Sequence, residues 1–435
     1  MKYLISKSEM PNLNRNNPKQ NKIAVVAKKY HLLFSFLTSV FFMWGFSLTL
    51  MDVLNKHFQT VLNISKSRSS LIQLSTFGAY AIAALPVGLF MKKFGYKPGI
   101  YLGLFLFAVG AFLFVPAANG ASFNLFRIAI FVLACGMATL ETVAHPFIAT
   151  LGNQQTSDIR INFAQSFNGF GGVIGPIVGS YFLLNSERQH VNDLAAVRQL
   201  YIMIGCFICL IAFIFYFIPG LKSTPYQHTE LSVNADKPHL GKTKELFRKK
   251  HFVFSIIAQF FNVAAQAGTW AYFLNYGHEV MHFTDERSGY FFSFSIVLLV
   301  LGRFLGTFLM RYIAPYKLLA VFSFCNILMC ILVAQGFGWV SFMALIFINF
   351  FFSIMYPTIF SLGLKDLGKQ TEQASSFIVL GFIGGAIFPP LMGIIANEDT
   401  AAAYYLPIIC YIVILIFGIK YPGLNKSFNN TFSQK

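Results

Sequence analysis

Two acidic side chains stand where acids are hard to keep. Glu141 lies inside the apolar run 125–151 and Asp52 inside the run 32–54. An ionised carboxylate at the centre of a membrane helix costs about 2.5–3.5 kcal/mol on insertion scales, so one retained there usually serves an ion, a proton or a polar ligand. His145 follows Glu141 by four positions and shares its face if the run is helical. A carboxylic acid away from water resists ionisation, and a neighbouring imidazole or an arriving ligand changes that balance. Together the two residues are able to hold a proton, as a proton-driven carrier requires. A neutral glutamic acid hydrogen-bonded inside a helical bundle is the plainer alternative.

Asp52 has two readings, a carboxylate near the membrane interface and a group facing a ligand. Thr49 is one turn before it and Trp44 two turns, which sets an acceptor, a hydroxyl and an aromatic plane along one stripe. Sugars bind such surfaces, with hydroxyls on the polar groups and the C–H face on the ring. Gln165 and Asn168 in the fifth apolar run continue the theme, as do Gln259, Asn262 and Gln266 in the seventh. For each of these amides, interhelix hydrogen bonding is as good an account as ligand contact. Arg303 sits within a span and suits either a gating network or a structural bond to a helix end. Arg127, near the end of its span, reads as a snorkelling structural residue.

His278-Glu279-Val280-Met281-His282 matches the H-E-x-x-H zinc-protease signature. It falls where the seventh apolar run ends, no third ligand is recognisable nearby, and a helix start follows at Thr284. A metal site is therefore not expected, and neither is a cofactor. The six cysteines, including the Cys206–Cys209 pair, all lie in apolar segments and read as small hydrophobes.

These residues need helices in lipid to position them. Of 435 residues, 56% are hydrophobic and 11% charged, against about 25% charged in soluble domains. A spanning helix takes about 20 apolar residues, because only there does each backbone group find a partner without water. Twelve candidates are predicted: 32–55, 69–91, 98–118, 123–151, 161–184, 199–219, 252–277, 287–311, 316–335, 338–362, 373–395 and 401–421. The basic segment Lys222–Lys250, with Pro225 and Pro238, divides them six plus six. The expected organisation is a tail over 1–31, a six-helix bundle over 32–220, a central loop over 221–251, a second bundle over 252–421 and a tail over 422–435. A ligand site between the bundles at mid-membrane would follow. The stretches 88–97 and 306–317, each a glycine before a basic turn, are a weak internal repeat.

Charge placement gives an orientation. With both termini on the same side, that side collects 25 of the 33 Lys and Arg residues and the other side six. Basic loops stay in the cytoplasm, so both termini are expected there, with an uncleaved first helix. The net charge of +17 then reflects topology and contact with anionic lipid, not nucleic-acid binding.

The motifs also carry a resemblance. Phe41-Phe-Met-Trp-Gly-Phe46 ahead of Asp52, Leu140-Glu-Thr-Val-Ala-His-Pro-Phe147, Asn162-Phe-Ala-Gln-Ser-Phe-Asn168, Ala265-Gln-Ala-Gly-Thr-Trp270, Gly302-Arg-Phe-Leu-Gly306, Tyr356-Pro-Thr-Ile-Phe-Ser-Leu-Gly363 and Ser375-Ser-Phe-Ile378 form an ordered set. From about residue 32 to 421 the chain resembles the bacterial fucose and proton symporters of the major facilitator superfamily. The resemblance implies an all-α fold of twelve transmembrane helices in two bundles. It also implies proton-coupled monosaccharide uptake by alternating access across a bacterial inner membrane, by a monomer. Asp52 and Glu141 would serve sugar recognition and proton translocation, with Gln165, Asn168, Gln266, Trp270 and Tyr356 at family motif positions. Leu48, Thr49 and Met51 stand where the family has asparagines before the aspartate, and His145 where it has an asparagine. These departures leave glucose, galactose or an amino sugar as alternatives to L-fucose. A sugar sensor and an intramembrane metalloprotease are the readings from other classes.

Overall fold

The computed structural model describes residues 26, 30–149, 151, 157–184, 193–217, 245–310, 312–367, 374 and 377–425. Most of both expected tails and of the expected central loop lie outside the described residues, as do Ser375 and Ser376 and the side chain of His145.

Among the described residues the chain is helical, with no strand. The first six transmembrane helices are α1 His31–Val61, α2 Leu71–Phe94, α3 Tyr96–Asn119, α4 Phe123–Ala149, α5 Ser157–Leu183 and α6 Asp193–Phe217. The second six are α7 Lys250–Ala271, continued as Phe273–Glu279; α8 Asp285–Leu309; α9 Pro315–Ala334; α10 Trp339–Phe352, continued as Met355–Leu364; α11 Ile383–Ala396; and α12 Tyr405–Leu424. Eleven are long and apolar enough to cross a bilayer. The twelfth, α5, is the more polar helix carrying Gln165 and Asn168, and it lies along α1.

Local chemistry explains the boundaries. Gly95, at φ 85°, is the whole turn between α2 and α3, a left-handed conformation that costs glycine nothing. Thr284 caps α8 by accepting from the Arg287 amide at 3.2 Å, with Asp285 and Glu286 in the first turn. Pro315 opens α9, where its missing N–H is no loss.

α1 packs on α5 and α3 on α4 in the first bundle, as α7 packs on α11 and α9 on α12 in the second. Between the bundles the main seams are α5 with α8 and α2 with α11. A shift of six helices exchanges the members of these seams, as two repeated halves require. The even number of helices puts both described chain ends at one end of the bundles, the proximal end. The α1–α2 and α7–α8 turns lie at the other, distal end.

The α1–α5 contact is close because glycine allows it. A methyl group at Gly171 would run into the Phe42 carbonyl, and one at Gly45 into the Asn168 carbonyl. Gly171→Leu is expected to force the helices apart and lower stability by about 1–3 kcal/mol, read as a lower thermal-unfolding midpoint in detergent.

Candidate functional site

The two carboxylates occupy different depths. Phe58 of α1 and Phe126 of α4 touch with ring centroids 4.5 Å apart and mark a common level. Asp52 is six residues from that level and Glu141 fifteen, which at the helical rise puts Glu141 about 13 Å nearer the proximal end. Asp52 is buried, at 6% exposure, and accepts a hydrogen bond from Gln73 Nε2 at 3.1 Å. Asp52 therefore packs inside the bundle, and α1 runs on for more than two turns beyond it.

Around Asp52, both bundles line a small cavity. Leu48, Met51, Gln73, Thr76 and Phe77 come from the first, and Gln266, Trp270 and Phe382 from the second. Its volume is about 40 Å³, room for a few waters where each needs about 10–15 Å³. Trp270 is held by its indole N–H, which donates to Asn349 at 2.8 Å, while Asn349 donates to Ser295 at 2.6 Å.

An aromatic layer separates this cavity from Glu141. Phe382 lies on a 3₁₀ turn, Leu380–Phe382, that leads into α11. Its ring stacks on Tyr80 at 5.5 Å and on Phe77 at 6.2 Å, both from the first bundle, and meets Tyr356 of its own bundle at 5.8 Å. The Tyr80 hydroxyl accepts from the Trp44 indole N–H at 2.5 Å. Glu141 is half-buried and lies within electrostatic reach of Tyr80 and Tyr356. One acid thus lies within electrostatic reach of a tyrosine from each half of the molecule.

The other expected residues are spread more widely. Gln266, Trp270 and Tyr356 reach the cavity or its aromatic floor. Thr49 does not join Asp52; its hydroxyl donates to the Gly45 carbonyl at 3.1 Å and its side chain lies against Gly172 of α5. Asn168 donates to the Phe41 carbonyl at 3.3 Å and ties α5 to α1. Gln165 is half-buried on the same helix. Gln259 and Asn262 are fully buried within the second bundle, Gln259 against the backbone of Gly381. Arg303 donates through Nε to the Ser353 carbonyl at 3.3 Å, at the break between the two segments of α10. Gly302 and Gly306 flank it and let α8 approach that break, so the geometry favours the structural reading of Arg303.

Sequence reasoning missed Gln73, Phe77, Tyr80 and Phe382. Gln73 had a signal, an amide within an apolar run. The three rings had none, because an aromatic residue in a span looks the same whether it faces lipid or a pocket. It also missed the distal seal between the bundles. There Asn55 donates to the Ala271 carbonyl at 2.9 Å, Asn275 to Gln59 at 2.6 Å, and Lys66 binds Glu279 at 2.8 Å. Lys56 lies 3.5 Å from Asp285, which also meets His278 at 2.7 Å. The H-E-x-x-H motif is therefore divided. His282 has φ 55°, beyond the end of the helix at Glu279, so the two histidines do not share a helical turn. Glu279 is engaged by the other bundle. No cluster fit for a metal is found among the described residues.

Residues 32–389 match the profile of the Major Facilitator Superfamily. The chain belongs to that superfamily. It is 34% identical to the L-fucose-proton symporter of Escherichia coli over 420 residues, covering 92% of this chain and 95% of the relative. It is also 34% identical to a glucose/galactose transporter of Brucella abortus over 411 residues, 93% and 97% of the two chains. Among solved structures, the transporter FucP in the outward conformation superposes with TM-score 0.67 at 32% identity, over 91% of this chain and 99% of that one. This major facilitator protein is thus a multi-pass membrane protein with twelve helices in two bundles, from a family of transporters.

Arg303→Met is expected to free the Ser353 carbonyl at the α10 break and lower stability by about 1 kcal/mol, seen as a fall of about 1 °C in the thermal midpoint in detergent. An unchanged midpoint would show that the bond contributes nothing to the folded state.

Proposed function

We propose that this protein is a proton-coupled monosaccharide importer that takes up L-fucose by alternating access across a bacterial inner membrane, with both termini in the cytoplasm. The observation that carries this reading is the placement of Glu141. It lies within electrostatic reach of a tyrosine of each bundle, both of which pack on the Phe382 ring that lines a polar cavity between the bundles. The identity to the E. coli symporter over nearly the whole chain supports the substrate class. A glucose or galactose symporter is the second reading, favoured by equal identity to the Brucella transporter.

With the termini inside, the sealed distal end faces outward, as an inward-facing state requires. Glu141 then lies on the cytoplasmic side of the aromatic layer, positioned to release a proton. In the opposite state the distal seal opens, the Asp52 cavity widens to admit sugar, and Glu141 takes a proton from outside. Asp52 and Gln73 offer an acceptor and a donor to sugar hydroxyls, and Trp270 and Phe382 offer rings to the C–H face. Neutralising Glu141 removes the charge that would otherwise have to cross with the closing bundles. Sugar drives the cycle only through a difference in its affinity for the two states.

Purified protein in liposomes with an interior pH dye tests this, using a panel of monosaccharides. Acidification triggered by L-fucose, and not by glucose or galactose, is the expected result; the reverse pattern selects the second reading. In Glu141→Gln, acidification should disappear while exchange of labelled sugar is partly retained, and undiminished acidification would remove Glu141 from the proton path. In Asp52→Asn, sugar binding is expected to weaken about tenfold or more, as for loss of a charged hydrogen-bond partner. An unaltered affinity would leave Asp52 a structural residue.

A further inference from the structure

At the distal end, the short turn Lys66–Ser69 between α1 and α2 carries the Lys66 side chain across to the second bundle. Lys66 Nζ donates to Glu279 Oε2 at 2.8 Å, to Thr400 Oγ1 at 2.9 Å and to the Ala396 carbonyl. A lysine ammonium has three N–H donors and no acceptor, so its capacity is filled from one bundle other than its own. The acceptors come from three places. Glu279 ends the continuation of α7, Ala396 is the last residue of α11, and Thr400 follows in the turn to α12. The Ala396 carbonyl, which also accepts from the Thr400 hydroxyl at 3.3 Å, lies at a helix C-terminus, the negative end of the helix dipole and a favourable seat for a cation. Thr400 Oγ1 lies 2.6 Å from Glu279 Oε2 as well, so the acceptors hold one another in place.

The neighbouring contacts keep Lys66 seated. Tyr272 donates to the Lys66 carbonyl at 3.4 Å and to the Pro389 carbonyl at 2.8 Å, linking the turn to α11. Asn397 donates to the Ser67 hydroxyl at 3.1 Å. The Lys66 side chain is 16% exposed and Glu279 35%, so the pair is only partly screened by solvent. Opening the distal end would pull Lys66 from all three acceptors at once. Nothing in the proposed proton or sugar steps uses these groups.

We infer that Lys66 is the clamp that holds the distal end shut, a positioning residue whose bonds set the balance between the two access states. It rests on the alternating-access reading and assigns the sealed state a specific latch. Removing the clamp shifts the population toward the state with the distal end open and the proximal end closed.

Hydrogen–deuterium exchange on the purified full chain, without sugar, reads both ends at once. In Lys66→Met, exchange should rise about tenfold in the distal segments 66–70 and 271–285, the size expected when a charged donor leaves its acceptors unpaired. Exchange should fall at the same time in the proximal halves of α2 and α10, because those close as the distal end opens. Glu279→Gln should give a smaller change of the same pattern. Lys66→Glu combined with Glu279→Lys should move both ends back toward the native pattern. A rise confined to the distal segments, with the proximal end unchanged, would mean a local structural bond and overturn the inference. So would native exchange at both ends. If Lys66→Met fails to fold, Glu279→Gln and the charge-swapped pair decide in its place. Because no sugar is present, failure here leaves the transport reading to the liposome assay, and failure of that assay leaves this result standing.

Discussion

The constraint under which the rest of the structure operates is the absence of water from the bilayer interior. Backbone groups there must find partners within their own helix, and polar side chains must find them across helices or in a shared cavity. The chain meets the first demand with twelve helices and part of the second with a small number of placed bonds. Gln73 serves Asp52, Asn349 serves Trp270, Trp44 serves Tyr80, and Arg303 serves the freed carbonyl of Ser353. Each of these pairs joins two different helices, so satisfying the polar group also sets the packing.

The same constraint shapes the interface between the bundles. Polar and charged contacts gather at the distal end, where the helix ends approach water, and the middle is closed by rings. The Tyr80–Phe382–Tyr356 contacts are suited to an interface that must separate, because aromatic faces interact modestly and leave no unpaired polar group behind when they part. The distal seal has the opposite character. Its ion pairs and amide bonds are directional, and water can take over its donors and acceptors when it opens. A carrier needs both kinds of contact: one that slides and one that latches.

Much of the fold was legible in the residues alone. Apolar run lengths located most span ends to within a few positions, since a helix in lipid needs a nearly fixed number of residues; the end of α1 and the starts of α6 and α11 differ by six to ten. The breaks inside α7 and α10 were not legible, because tertiary contacts such as that of Arg303 satisfy the groups they free. Of the candidate site, Asp52, Gln266 and Trp270 meet around one cavity, and Tyr356 lies at its aromatic floor. Thr49, Gln259 and Asn262 share helices with them but point into intrahelical bonds or the second bundle's core. Spacing along a helix says which residues share a face; it does not say which neighbour that face meets.

What the sequence determined by itself is local: helix number, the six-plus-six division and the presence of two acids in apolar spans. Each follows from the transfer energies of residues near one another in the chain. Tertiary structure alone decided that Asp52 pairs with Gln73, that Phe382 lies between the two acids, and that an apparent zinc motif yields Glu279 to Lys66, 213 positions away. These depend on the rotation of each helix about its axis and on the register between bundles. Close contacts such as Gly171 against Phe42 set that geometry, and they are summed over partners remote in sequence.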